Sequence, residues 1–264
     1  MLAPPSQGSH PPQATLASQR GKQRLDTLLF QSGLARSRSH AQALILSQTV
    51  LVNGEKVDKS GRAFPPEVEI TLLSPPAPYV GRGGIKLEAA LLGFAIDVQG
   101  KVGLDVGAST GGFTDCLLQH GAARVYAVDV GYGQMAWKLR QDPRVILLER
   151  QNVRLLTSDH IPDPIDIATL DLSFISLDKV IPHCLPFLKK EGEMVALIKP
   201  QFEVGKGAVG QGGIVRDPEQ HKAVLMKIEQ VTRELGLRII NTLLSPILGQ
   251  KGNKEYLAHI RRMS

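Results

Sequence analysis

An apolar segment, VGLDV (102–106), runs directly into the glycine-rich DVGASTGGFTD (105–115), and Asp129 follows 22 residues after Gly107. Glycines at 107, 111 and 112, between a strand and a helix, let backbone pass close to a ligand at the helix N-terminus. A carboxylate at the end of the next strand is placed to grip a ribose diol. Together these residues describe a site for a nucleoside-bearing cofactor. Asp105, Gly107, Ser109, Gly111 and Phe113 line the turn, and Asp129 holds the ribose. The spacing is G-A-S-T-G-G, so Ser109 stands where the dinucleotide pattern G-x-G-x-x-G has the glycine that admits a pyrophosphate. That disfavours NAD and favours S-adenosylmethionine, whose adenosine carries an amino acid instead of a phosphate. The later VGKGAVGQGG (204–213) has no Ser or Thr after its lysine and no helix following, so it reads as a mobile loop and not as a P-loop.

Four charged residues join the turn. Lys86 lies early in GGIKLEAAL, Asp171 in TLDLSF, Lys199 in ALIKPQFE and Glu255 in GNKEYLA. Ligands of open α/β sheets gather outside the carboxyl ends of the strands, which sets Asp171 and Lys199 beside the glycine turn. Any one of the four, taken alone, reads as a solvated strand-end charge.

The elements that must position these groups alternate. Strands are expected at 102–106, 124–130, 145–149, 166–172 and 193–200, with helices at 83–91, 111–121 and 218–236. Two consecutive strands, 237–245 and 254–262, close the chain as an antiparallel edge hairpin. Strand–helix alternation implies a mostly parallel sheet covered on both faces. Upstream, amphipathic helices at 24–34 and 37–47 precede a hairpin over 49–57, turned at Asn53-Gly54, and a short strand at 67–73. PPAP (75–78) reads as a stiff linker and residues 1–19 as a disordered tail.

The 264 residues favour two domains, and 42% hydrophobic content can build a core. No apolar run is long enough to span a membrane. Two cysteines, Cys116 and Cys184, fit a reducing cytoplasm and make neither a disulfide framework nor a zinc cluster; no secretory signal pattern is present. The net charge of +6 is local: residues 20–62 hold eight Lys/Arg against three acids, and the rest is nearly balanced. Such a basic segment points to a polyanion, most often nucleic acid.

The motifs carry a family resemblance. RLDTLLFQSGLARSRSHAQALI with VLVNG resembles the RNA-binding domain of ribosomal protein S4 type. GRGGIKLEAAL, LDVGASTGGFTDCLL, AVDVGYGQ, LDLSFIS, IKPQFEVG and GNKEYLAHI resemble the successive motifs of FtsJ-like ribose 2′-O-methyltransferases, and more closely the TlyA (hemolysin A) rRNA methyltransferases. The resemblance covers nearly all of 20–264. It implies an α/β fold: a Rossmann-like class I methyltransferase sheet over 83–264, preceded by a small α+β RNA-binding domain at 20–74 and a linker at 75–82. It further implies S-adenosylmethionine as cofactor, ribosomal RNA or a ribosomal subunit as partner, no metal or membrane, and methylation of a ribose 2′-hydroxyl of cytidine. The family's Lys-Asp-Lys-Glu tetrad falls on Lys86, Asp171, Lys199 and Glu255, and Asn152 on an adenine-edge contact. Lys199 is then the candidate base: desolvation and a neighbouring Lys86 would favour its neutral amine, with Asp171 and Glu255 orienting the lysines and the hydroxyl. Alignment would contribute as much as proton removal.

Arg24, Arg36, Arg38 and Lys56, joined by Arg82, would neutralise phosphates. With Phe30 and Phe64 the only aromatics of the small domain, RNA recognition there is by shape and backbone. Leu28, Leu29, Leu34, Leu44, Ile45 and Trp137 are expected in the core. Two positions depart from the family pattern: Gln48 replaces the glycine that would give the second helix a left-handed stop, and Gly81 stands where Ser is common. Three competing readings are a non-catalytic assembly factor with a decayed fold, a membrane-damaging protein, and an NAD(P) oxidoreductase, the last disfavoured by Ser109.

Overall fold

The computed structural model describes residues 21–73, 77–205 and 209–263. The expected tail, Pro75 and Pro76 of the expected linker, and residues 206–208 of the glycine-rich loop lie outside them. The chain divides into two compact units, 1–76 and 77–264.

In the first unit β1 (Gln23–Arg24) leads into α1 (Leu25–Gln31), followed by α2 (Arg38–Leu46). Ser37 caps α2 by accepting from His40 N. Strands β2 (Val50–Val52) and β3 (Glu55–Lys56) form the expected hairpin, with Asn53 and Gly54 both at positive φ as a two-residue primed turn requires. β4 (Ala63–Phe64) pairs with β1, and β5 (Ile70–Leu72) with β2. Leu25, Leu29, Ala41, Ile45, Val50 and Val52 form the core; Leu28 is also buried, whereas Leu34 and Leu44 pack only half-buried at its margin. Gln48 adopts the left-handed conformation itself, at φ +56°, so the stop the sequence lacks a glycine for is made nonetheless.

The second unit is built on one seven-stranded sheet. After α3 (Gly83–Gly93) come β6 (Val102–Val106), α4 (Gly112–Gln119), β7 (Arg124–Asp129), α5 (Trp137–Arg140) and β8 (Val145–Glu149). β9 (Ile165–Leu170), α6 (Ile181–Cys184), β10 (Leu188–Ile198), α7 (Pro200–Glu203), α8 (Pro218–Glu234), β11 (Leu237–Leu244) and β12 (Tyr256–Arg262) complete it. Strand order is β11-β12-β10-β9-β6-β7-β8. The run from β10 to β8 is parallel, and β12 is antiparallel to both its neighbours. The terminal hairpin is therefore present, with β11 as the edge and β12 inserted beside β10. Apolar side chains from both faces of the central strands build two cores, one around Leu104, Leu170 and Ile198, the other around Leu87, Leu117 and Leu197.

Trp137 is not in either core. It opens a four-residue helix and is 71% exposed, while Leu139 of the same helix is the residue that packs inward.

Candidate active site

The glycine turn is held by its neighbours on both sides. Gly107 N and Ala108 N donate to Val128 O, and Asp171 N donates to Val106 O, joining the ends of β6, β7 and β9. At Gly107, φ is +85° and a Cβ would lie 2.5 Å from Asp171 O, so no other residue fits. Gly111, at φ +93°, is closed from behind: a Cβ there would strike Leu139 and Met135. It shapes the turn without lining a cavity.

Asp129 accepts from Ser109 N at 2.7 Å and from Gly131 N at 2.6 Å. This fixes the carboxylate at the lip of a cavity of about 380 Å³, lined also by Gly107, Ser109, Val130, Gln134 and Asn152. Asn152 Oδ1 accepts from Arg154 N, capping a short turn. Phe113, though buried, borders a smaller recess with Gly83, Gly107 and Asp171.

Asp105 is a correction. It is fully buried and does not reach any of these cavities. Its Oδ2 accepts from Thr114 N and Oγ1, and its Oδ1 from Thr169 Oγ1 across the β6–β9 pairing. Side chains alternate along a strand, so Asp105 points back under the turn, toward α4. Burial pushes its carboxyl up to about 7, against the hydrogen bonds that favour ionisation.

The four strand-end charges come together. Lys86, one turn into α3, reaches Glu255 Oε2 at 2.5 Å, and both side chains are buried. Gly249 makes room for that carboxylate, since a Cβ there would lie 1.9 Å from Glu255 Oε1. Lys199 Nζ lies 2.6 Å from Asp171 Oδ1 and donates to Ser173 Oγ at 3.3 Å. The Lys199–Asp171 approach is an ion contact off the hydrogen-bond direction, leaving Asp171 Oδ1 buried without a hydrogen bond. All four line one cleft of about 260 Å³ that shares Gly107, Ser109 and Asp171 with the cavity beside Asp129. Each lysine thus has its own carboxylate, where the sequence set the two lysines against each other.

Sequence reasoning missed the aromatic rim. Phe174, at φ +64°, is 90% exposed, and its ring centroid lies 5.1 Å from that of Phe202, over which Lys199 Nζ sits at 5.9 Å. Phe174 lies two residues past the strand expected at 166–172, and nothing in LDLSFIS marked it. Ser173 and Gln134 were likewise unmarked.

Arg82 lines the same cleft and donates to Leu248 O. Of the other expected phosphate contacts, Arg24 and Arg38 both lean on the buried Asp26, while Lys56 and Arg36 are exposed. The Arg24 guanidinium holds the Asp26 carboxyl far below the usual carboxylate range. Arg24 and Arg38 remain half-exposed at 50% and 56%, so part of their charge still faces outward.

Thiol chemistry does not enter: both cysteines are buried, and burial pushes each up to about 12. Among the described residues no cluster of three His, Cys, Asp or Glu could hold a metal, and no helix is long and apolar enough to cross a membrane.

This sheet, turn and charge set define a methyltransferase. The chain belongs to the FtsJ-like methyltransferase family, whose pattern matches residues 79–262, and an S4 domain matches residues 23–70. It is 45% identical, over 90% of its length and 89% of the relative's, to the 16S/23S rRNA (cytidine-2′-O)-methyltransferase TlyA of Mycobacterium tuberculosis. It is 43% identical to Hemolysin A of Brachyspira hyodysenteriae, covering 89% of this chain and 98% of that one. A solved structure from Streptococcus thermophilus, provisionally named a hemolysin, superposes with a TM-score of 0.71 at 41% identity, covering 92% of this chain and 89% of the other.

Proposed function

We propose that the protein transfers a methyl group from S-adenosylmethionine to a ribose 2′-hydroxyl, of cytidine, in ribosomal RNA. The observation that carries this reading is the convergence of Lys86, Asp171, Lys199 and Glu255 in a cleft that opens onto the Asp129 cavity. The residues fit the cofactor. The Asp129 carboxylate suits a ribose diol, Val130 and Val153 give apolar walls for a base, and the closed space at Gly107 sets the depth of the pocket. When bound, S-adenosylmethionine supplies an electrophilic methyl carbon on a sulfonium.

The chain's own residues align the acceptor and take its proton. Lys199 Nζ and Asp171 Oδ1 form one unit in the cleft that would hold the 2′-oxygen and take up the hydroxyl proton as the C–O bond forms and the methyl–sulfur bond breaks to leave a neutral thioether. Ser173 fixes the Lys199 head, and the buried Lys86–Glu255 pair makes the opposite wall. Breaking such a pair from one side would leave a buried unpaired charge, roughly 3–5 kcal/mol, so the wall is rigid. The exposed Phe174 ring offers a stacking face for the target base.

Lys199→Ala should bind S-adenosylmethionine as the wild type does, by calorimetry, and lose methylation of ribosomal RNA by about 100-fold or more, general acid–base catalysis being worth that much. Mapping of 2′-O-methyl groups on RNA from cells with and without the gene reads the target; a fully active Lys199→Ala protein rejects the assignment.

A further inference from the structure

A second cleft, of about 480 Å³, lies across the chain segment that carries Glu255 from the catalytic one. Glu255 lines the catalytic cleft, whereas Lys254 and Tyr256 on either side of it line the second. Val215, Pro218 and Leu225 supply apolar surface, and Arg216, Lys222 and Lys254 supply three cations. No carboxylate is among the lining residues. The nearest acids at the start of α8 are both exposed: Asp217, whose side chain accepts from Glu219 N, and Glu219 itself.

The cleft is built rather than left over. Its buried His221 donates from Nε2 to Val215 O and accepts at Nδ1 from the Tyr256 hydroxyl in the neutral ring. Buried Asn253 accepts from Val215 N and donates to Gly213 O, pinning the loop before α8 to the segment before β12. The exposed Lys222 and Lys254 make no hydrogen bond or ion pair among the described residues, whereas Lys101, Lys138, Lys189 and Lys227 of the same unit each hold a carboxylate.

We propose that this cleft is a second nucleotide subsite for the RNA chain, taking an unpaired nucleotide of the same RNA whose target nucleotide enters the catalytic cleft. The base lies against Pro218, Leu225 and Tyr256, and the phosphate meets Lys222 and Lys254. The chemistry is that of a single-stranded nucleic-acid contact, an apolar face for a base beside cations for the backbone. The inference deepens the methyltransferase reading and rests on it for the identity of the RNA.

The test compares the wild type with the Lys222→Ala/Lys254→Ala double variant on unmodified ribosomal RNA transcripts across a salt series. Both lysines are exposed, so equal melting temperatures and equal S-adenosylmethionine affinity are expected. RNA affinity should fall about tenfold, and the log–log salt slope should flatten by roughly 0.7, the value for one single-strand phosphate contact. RNA carrying 4-thiouridine should cross-link to residues 214–225 or 252–256 in the wild type. Unchanged affinity and slope in the variant would overturn the subsite, as would cross-links that avoid both segments. Micromolar binding of cytidine 5′-monophosphate that RNA fails to displace would also overturn it, in favour of a small-molecule site. Cross-linking as expected, with no methyl product from the wild type, upholds the cleft and rejects methyl transfer instead.

Discussion

Asp105 shows how a residue one turn away from chemistry can set its geometry. Its two oxygens tie the N-terminus of α4 to β9 through Thr114 and Thr169. Because burial raises its folded-state pKa to about 7, above the unfolded value, the folded protein binds more protons between about pH 4 and 7. Stability from this group is therefore lost as pH rises through that window. Asp105→Asn, which keeps the shape and removes the charge, should gain in melting temperature relative to the wild type between pH 5 and pH 8; a constant difference would show that Asp105 does not titrate there. The sequence marks Asp105 as a cofactor contact because a carboxylate beside a glycine turn is ambiguous without knowing which face of β6 it occupies. Lys86 and Glu255 were singled out with Asp171 and Lys199 by their places in the pattern, and the resemblance then assigned them to the tetrad; taken alone, each reads as a solvated charge. Trp137 and Phe174 show the opposite failure, since apolar type alone assigned the first to the core and left the second unmarked.

At the scale of elements, the loops after β9 and β10 carry the Lys199–Asp171 unit, and Glu203 locks them together. This buried carboxylate at the end of α7 accepts from Leu177 N at 2.8 Å, from Ser176 Oγ, and from Lys227 Nζ of α8 at 3.0 Å. Glu203→Gln should lower kcat by about tenfold through misalignment while leaving S-adenosylmethionine affinity unchanged; a change confined to cofactor binding would contradict a positioning role. The end of α2 offers a test of strain. Gln48 at φ +56° is in a conformation costly for a side chain, so Gln48→Gly should stabilise the small unit by about 0.5–1 kcal/mol, measured by denaturant melts. The longer helices and strands were legible from periodicity, but the two-residue β1 and β4 and the four-residue α5, α6 and α7 were not, and the ends of the others shifted. Asp171 and Glu255 were read inside strands but lie one residue outside β9 and β12.

For the whole molecule, charge divides between the units. Each unit carries an excess of +3, eight Lys/Arg against five acids in residues 1–76 and 23 against 20 in 77–264, so the basic excess is denser on the shorter first unit and is concentrated over 20–62. RNA affinity should drop by at least tenfold between 50 and 200 mM salt, with S-adenosylmethionine affinity changing less than twofold, measured on the same preparation. Comparable salt dependence for both ligands would remove the division of labour. The two-unit organisation was legible because the pattern of elements changes between the basic segment and the strand–helix alternation that follows. What no pattern carries is the pairing of Arg24 and Arg38 with Asp26, a contact made by folding that partly neutralises two of the cations expected to meet phosphate.

The Lys86–Glu255 pair joins residues 169 positions apart, while the Asp129 cavity is assembled from residues between Val106 and Val180. The lining of that cavity nevertheless packs on Ile198, Val224 and Ala258, which arrive only with the later strands and α8. Both pockets therefore rest on the C-terminal strands, the first through the core beneath it and the second through Glu255 itself, so a chain cut before β12 should lose both together.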